Sequence, residues 1–428
     1  MPLPCPLLSD SVSIEMDTQD NQLCFSGVKA QELVEKYGSP LYVYEESIIR
    51  KQYRELVDQF LYPKFRVHYA VKANYNPTIL KILLEEGCGA DTVSDQEVRL
   101  CLDLGFPPES IIFTGDNNTD EEMRYCLEKD VLINVGSLSQ LERLGKLKEG
   151  ARVSVRINPD VGAGHHSHCI TGGPKTKFGI YHDKIEQIQA IVKQYNLKLV
   201  GIHSHIGTGI MDSEKFIEAM DVTTGVAKKI EGLEFVDFGG GIGIPYRESQ
   251  SPLNLKDFGA KVSEHFTKFC AEYGNDLELK IEPGRFLVCQ AGTLIAQVNT
   301  LKETPAHQFA GCNTGFNHLM RPMAYGSYHK ILNASRVEGE KKAIVLCGNI
   351  CESGDVFTQG SDGIEDREVS ALEEGDLVAI LDAGAYGMSM SMQYNMRSRP
   401  PEVLVSPEGQ TKLIRKKESY EDIMSNFC

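Results

Sequence analysis

Apolar and polar positions alternate in short bursts along the first two thirds of the chain, and between the bursts apolar residues recur at helical spacing. Eight strand-like runs, each ending in polar or glycine-rich residues, fall at 65–72, 89–94, 111–115, 131–136, 152–158, 199–207, 234–241 and 277–284. Helix-compatible segments lie between them at 78–86, 96–104, 120–129, 138–148, 184–195, 213–229 and 255–273. Before the first run, Ile48, Ile49, Tyr53, Leu56, Val57 and Phe60 form a 3.6-residue stripe over 45–60. Alternating strand and helix predict a parallel sheet, and eight repeats predict its closure into a (β/α)8 TIM barrel with working side chains at the strand C-termini. After Arg285 the helical period fades and β-type runs dominate, at 286–300, 343–346, 376–381 and 402–405. The expected organisation is a barrel over 46–285 and a C-terminal β-barrel or sandwich domain over 286–428. That domain also takes in the N-terminal segment 1–45, where 12–14 and 41–44 read as strands. The stretch 359–368 reads as a polar surface loop.

Composition narrows the class. The chain has 428 residues, 41% hydrophobic and 24% charged, which is the make-up of a soluble globular protein. A net charge of −16 argues against nucleic acid or an anionic membrane as partner, since both need a basic surface. Twelve cysteines are scattered with no CxxC pair, as in a reducing compartment where most serve as small core hydrophobes. Cys347 and Cys351 lack a second ligand pair, so no metal is expected there. The first residues lack a basic region followed by an apolar stretch, and no run of about 18 apolar residues occurs. A cytoplasmic protein is the expectation.

Candidate chemistry gathers where the barrel rule puts it. Lys72 sits at the end of the first run, where desolvation would lower its pKa and free the amine for a Schiff base; a strand-end lysine snorkelling to solvent is the plainer alternative. Asp237-Phe238-Gly239-Gly240-Gly241 is a strand running into a glycine turn of the kind that lets backbone N–H groups approach a phosphate, with the next helix adding its positive end. His203 and His205, two residues apart, are expected on one face of a strand. His165, His166 and His168 could complete a metal site with them, but their glycine-flanked setting favours solvated or substrate-covering histidines within a loop over 159–182. Glu282 closes the eighth run and either faces the barrel mouth or pairs with Arg285. The loops 347–355 and 382–387, crowded with Cys, Glu, Ser and Asp, are candidate acid–base sites.

Taken in order, Tyr69-Ala-Val-Lys-Ala-Asn74, His203-Ser-His-Ile-Gly207, Gly239-Gly-Gly241, Glu282-Pro-Gly-Arg285, Arg321-Pro-Met-Ala-Tyr325, Cys351-Glu-Ser-Gly-Asp355 and Ala385-Tyr386 resemble the diaminopimelate decarboxylases, pyridoxal 5'-phosphate enzymes of the alanine-racemase-like fold. The resemblance spans 38–421, and stretches such as Phe286-Leu-Val and Tyr394-Asn-Met-Arg397 are close to the enterobacterial branch. It implies that Lys72 holds the cofactor and that His205 stacks on its ring. Gly240, Gly241, Gly284, Arg285 and Thr208 would serve its phosphate, Glu282 would pair with its ring nitrogen, and Tyr386 would lie against it. Arg285, Arg321, Tyr325, Glu352 and Tyr386 would surround the substrate, and Cys351 would come from a partner subunit as proton donor in a homodimer. A glutamate at the ring nitrogen keeps it protonated and favours decarboxylation over racemisation. Two arginines suit a substrate whose far end is a second carboxylate. The implied reaction is conversion of meso-2,6-diaminopimelate to L-lysine and carbon dioxide. A second reading is a sister decarboxylase acting on ornithine, arginine or lysine; a third is a non-catalytic cofactor-binding relative. The sequence departs from the family pattern at Asn313–His318 and at 115–119, which lacks a lysine many relatives carry.

Overall fold

The computed structural model describes residues 17–164, 171–360 and 363–428. The expected strand at 12–14 and the histidines His165, His166 and His168 lie outside them.

All eight predicted barrel strands form, seven of them shorter than expected and the fifth with the expected bounds: Phe65–Ala70, Gly89–Thr92, Ile111–Phe113, Leu132–Val135, Arg152–Asn158, Lys198–His203, Phe235–Asp237 and Glu278–Ile281. Each pairs in parallel with the next, and the eighth returns to the first through Leu279↔Phe65 and Ile281↔Val67, closing the ring. The helices between them start where short polar side chains can accept an orphan N–H. Asn76 accepts from Thr78, Ser94 from Glu97, Ser137 from Gln140, and Thr119 forms a capping box with Glu122.

Strand residues two apart share a face. Val67 and Tyr69, Ile133 and Val135, and Val153, Val155 and Ile157 share one core with helix residues such as Ile79, Leu83, Val98, Leu141 and Leu144. The alternate positions point into the barrel and are largely polar: His68, Asp91, Asn134, Ser154, Arg156, His203, Asp237, Lys280 and Glu282 are all buried. Branched apolar residues usually fill a TIM barrel. Here the interior is given over to charge, which places the chemistry on the barrel axis.

The second sheet is built on Gly292–Glu303. This long strand pairs with Leu41–Glu45, Leu377–Ile380 and Gln308–Cys312, and Leu41–Glu45 pairs in turn with Glu402–Val405. Alternation lets one strand serve two cores. Leu41 and Val43 pack with Leu23, Leu33, Ile295 and Val403, whereas Tyr42 and Tyr44 face the barrel core. The sheet also pins the turn that carries Lys72: Tyr386 N–H donates to Ala73 O at 2.8 Å, and Asn74 Nδ2 donates to Gly384 O at 3.0 Å.

Several expectations are corrected. The run 286–300 does not begin as a strand; Arg285–Val288 is a helical turn, and pairing starts at Gly292. The helix Ala30–Tyr37 and the strands Gln308–Cys312 and Thr411–Arg415 were not anticipated. Within the expected surface loop 359–368, Gln359–Gly360 pairs with Gly363–Ile364, and Arg367 is buried, donating to His329 O at 2.8 Å. Of the departures from the family pattern, His318 is structural: buried, with Thr314 Oγ1 at 2.9 Å and Ser398 O at 3.0 Å.

Candidate active site

The first strand ends at Ala70, and Lys72 stands on the single turn Val71–Ala73 that follows rather than on the strand itself. Its Nζ lies 2.9 Å from Oδ2 of Asp91, which is buried at the end of the second strand and also bonded by Thr114 Oγ1. The expectation of a lysine with a lowered pKa is therefore overturned for the chain by itself. Burial does push the amine down, but the Asp91 carboxylate outweighs it, helped by Tyr386 and Glu282, and the pKa is raised. The plain alternative of a snorkelling lysine fails as well, because the amine is held inward by an ion pair.

Glu282 pairs with His203, not with Arg285: its Oε2 lies 3.0 Å from His203 Nε2. Its other oxygen, Oε1, is buried without a partner, as are His203 Nδ1 and Asp237 Oδ2. Burial foremost, then the neighbouring acids, pushes Glu282 and Asp237 each up to about 8. Burial pushes His203 down to about 4, so the imidazole is neutral. Among the described residues, His203, Asp237 and Glu282 form the cluster compact enough for a metal, their ligand atoms lying within 4.8 Å of one another. The charges of Lys72, Arg156 and Lys280 bear on this cluster and oppose a second cation.

The strand carrying His203 ends there, so His203 and His205 do not share a strand face as expected. His205 turns toward the glycine strap, and Gly240 N–H donates to its Nδ1 at 3.0 Å. That N–H, expected to meet a phosphate, is already committed. Nor does a helix follow the strap directly, since the next one begins at Leu255. The strap is tight. A Cβ on Gly240 would lie 2.1 Å from Glu282 O, and Gly241 holds φ +118° with its Cβ position 2.7 Å from Gly207 O. Thr208 lies beside it, its Oγ1 3.4 Å from Arg285 Nε. The described flanks of the 159–182 loop rest on this region: Ala163–Gly164 pairs with Gly207–Thr208, and Thr171 Oγ1 donates to His205 O at 2.9 Å.

Gly284 sits against Ala70 and Ala73, and the turn it opens sends Arg285 toward the second sheet. Arg285 Nη1 donates to Tyr246 OH at 2.6 Å, and its guanidinium lies 5.0 Å from the Tyr386 ring. Tyr386 holds a left-handed φ of 57°, strain of the kind that persists at functional sites. Arg321, on the turn Arg321–Tyr325, lies over the Tyr246 ring at 5.0 Å and donates to His329 Nε2 at 2.9 Å. Tyr246, Arg321 and Tyr325 line one cavity. Cys351 and Glu352 stand on an exposed loop whose Gly354 lies against Met323 of the turn Arg321–Tyr325. Cys351 N–H donates to Asn395 Oδ1, and Glu352 Oε1 accepts from Gly354 N–H at 3.1 Å.

Asp91, Arg156, Asp237, Tyr246 and His329 were missed. Asp91 and Asp237 each end a barrel strand, so the rule that found Glu282 could have found them. Tyr246 and His329 follow recognised motifs by a few residues and carry no signal of their own.

The strand-end lysine, the glycine strap and the buried carboxylate with a free oxygen are those of a pyridoxal-dependent decarboxylase. The family profile "Pyridoxal-dependent decarboxylase, pyridoxal binding domain" matches residues 46–289. A diaminopimelate decarboxylase of Methanothermobacter thermautotrophicus is 44% identical over 412 residues, 94% of each chain. That of Escherichia coli K12 is 35% identical, covering 91% of this chain and 94% of its own. The crystal structure of diaminopimelate decarboxylase from M. jannaschii in complex with L-lysine superposes with a TM-score of 0.88 at 36% identity, over 96% of this chain and 97% of that one. The chain belongs to the diaminopimelate decarboxylase family.

Proposed function

We propose that this chain removes carbon dioxide from meso-2,6-diaminopimelate to give L-lysine, using pyridoxal 5'-phosphate. The observation that carries the substrate is the pair of buried arginines. Among the described residues Arg285 and Arg321 bond only neutral groups, Tyr246, Thr208 and His329. A buried guanidinium without an acid is costly unless a ligand completes it. A substrate with a distal carboxylate does so, whereas ornithine or lysine would bring a second ammonium into a site already cationic.

The residues fit the cofactor. Glu282 Oε1, buried and unpartnered, is an acceptor waiting for a protonated ring nitrogen. Gly241, Gly284 and Thr208 would hold the phosphate, His205, oriented by Gly240 N–H, would meet the ring, and Tyr386 and Arg285 would lie beside it. Pyridoxal phosphate, when bound, supplies the sink for the electron pair left by the departing carboxylate. Lys72 would hold the cofactor through its amine. Asp91 keeps that amine charged until the site is filled. His203 Nε2 meets Oε2 of Glu282 and leaves Oε1 free for that ring nitrogen.

Cys351, with Glu352 beside it, returns a proton to the α-carbon from a neighbouring copy of the chain, and the working unit is a homodimer. The exposed position of Cys351 supports this, because a proton donor that faces solvent in one chain must be covered to act. The described cysteines are all unpaired, and no helix among the described residues is long and apolar enough to cross a membrane. We place the enzyme in the cytoplasm.

Lys72→Arg tests the core of this reading. The guanidinium can keep the Asp91 ion pair, and hence the fold, but cannot form a Schiff base. We expect circular dichroism like the wild type, no lysine-linked absorbance band after adding pyridoxal phosphate, and carbon dioxide release from meso-diaminopimelate reduced by at least about a thousandfold. An unchanged rate would overturn the assignment of Lys72 and the reaction with it.

A further inference from the structure

Among the described residues, Arg321 is the largest fully buried side chain, at 1% exposure. One of its N–H groups is spent on His329, whose ring is completely buried. The protonation of that ring follows from its partners. His329 Nδ1 lies 2.8 Å from Leu381 O, and a carbonyl only accepts, so Nδ1 carries the hydrogen. In a neutral imidazole Nε2 is then the acceptor, and it is this nitrogen that meets Arg321 Nη1 at 2.9 Å. A second proton on the ring would set an N–H against the guanidinium. Burial, Arg321, Arg285 and Arg367 all oppose it, holding the ring neutral well below the usual histidine range.

The other groups around Arg321 add no full negative charge in contact. Tyr246 offers a ring face to the guanidinium at 5.0 Å and a ring edge to His329 at 5.7 Å and 70°. Asp382, next in the chain to Leu381, is the nearby acid; burial pushes its carboxyl up to about 7 against the pull of Arg321 and Lys330. Arginine in a protein interior ordinarily meets a carboxylate. A neutral acceptor has a different consequence: it fixes the plane of the guanidinium and leaves its charge undiminished.

We propose that His329 is a positioning residue for substrate selection: it holds Arg321 through a neutral ring nitrogen so that the distal carboxylate of the substrate is the anion Arg321 pairs with. This rests on the assignment of Arg321 to that carboxylate made above. Replacing His329 by an apolar ring loosens the guanidinium, and replacing it by an acid neutralises it. Both weaken binding of the distal carboxylate without touching the groups around Lys72.

The test measures KM and kcat for meso-diaminopimelate, the cofactor absorbance band and the melting temperature in His329→Phe, His329→Gln, His329→Glu, Arg321→Gln and the double variant Arg321→Gln/His329→Phe. We expect His329→Phe and His329→Glu to raise KM roughly tenfold, the loss of one hydrogen bond to a charged group, with kcat within about threefold and the cofactor band unchanged. Gln can accept from Arg321, so His329→Gln should keep KM within about threefold of wild type. The double variant should be no worse than Arg321→Gln, because the histidine acts only through the arginine. A KM unchanged in His329→Phe, or effects that multiply in the double variant, would overturn the proposal. Should His329→Phe not fold, the Gln and Glu variants decide alone, and equal KM values for the two overturn it. An unchanged KM in Arg321→Gln would instead remove the assignment of Arg321, and this proposal with it.

Discussion

At the scale of single residues, the centre is defined by who holds which proton. Asp237 and Glu282 are both buried and both pushed up to about 8, with a neutral His203 beside them, and the two acids, close to each other, titrate as a coupled pair. The sign of the stability effect follows. The folded chain keeps a proton on Asp237 that the unfolded chain releases at about its ordinary 3.8, so the native state binds more protons from there up to about 8. Stability is therefore full below the lower value and is lost as pH rises through that window, with a limiting slope of about 1.4 kcal/mol per pH unit for one proton. Asp237→Asn removes the titration and keeps the acceptor for Gly239 N–H, which Asp237 Oδ1 meets at 2.9 Å. The cofactor-free variant should show a flatter fall of melting temperature across this window than the wild type; parallel curves would show that Asp237 does not carry the linkage. Lys72, Glu282 and His205 could be read from the sequence because they stand at strand ends inside recognisable motifs. Their neighbours Asp91 and Asp237 could not be assigned roles, because which side chains meet across adjacent barrel strands is set by strand register and not by spacing along the chain, and His329 stands outside any motif.

At the scale of elements, the glycine strap behaves differently from its sequence. A glycine turn after a strand reads as a phosphate loop completed by a helix N-terminus, yet the chain runs on from Gly241 to Leu255 before any helix begins. The tight packing of strap on strand end explains the glycine at 240 better than a free N–H does. The Cβ of Gly240→Ala would stand 2.1 Å from the Glu282 carbonyl, backbone against backbone with nothing flexible to yield. The substitution should separate the strap from the eighth strand, displacing both the His205 contact and Glu282. We expect affinity for pyridoxal phosphate, followed by absorbance titration, to fall at least about tenfold while far-ultraviolet circular dichroism is retained; a loss of that size is typical of a displaced site residue. Wild-type affinity would mean that the strap is slack. The barrel strands and helices were legible because each carries a clean period of 2 or 3.6 and a cap. The second sheet was less so: Gln308–Cys312 and Thr411–Arg415 are short and mixed in character, and Arg285–Val288 is helical although Phe286, Leu287 and Val288 favour a strand, because the turn is fixed by Gly284 packing on Ala70 and Ala73.

At the scale of the whole molecule, one candidate group differs from most of the others in its exposure. Lys72, Glu282, Arg285 and Arg321 are wholly or partly buried, whereas Cys351 is exposed on its loop, with Met323, Tyr394 and Met396 of two neighbouring turns exposed beside it. The loop is well fixed for an exposed one. Cys351 N–H is held by Asn395, and Asn395 and Met396 both keep left-handed backbone, with φ 56° and 55°. Side chains that are apolar, exposed and held in a costly conformation are what a protein–protein contact leaves when the partner is taken away. A two-fold dimer would put this loop of each copy over the barrel mouth of the other, so that each centre would draw Lys72 from one chain and Cys351 from its partner. Complementation separates this arrangement from a self-sufficient chain. Lys72→Arg and Cys351→Ala should each be nearly inactive alone. After mixing and reassociation, half the dimers would pair one chain of each kind, and one of their two centres would carry neither substitution. Activity should therefore return to about a quarter of wild type, the share expected for isologous pairing at random. If the mixture stays as inactive as its components, while gel filtration shows that subunits exchange, each chain holds its own centre and Cys351 is not supplied by a partner.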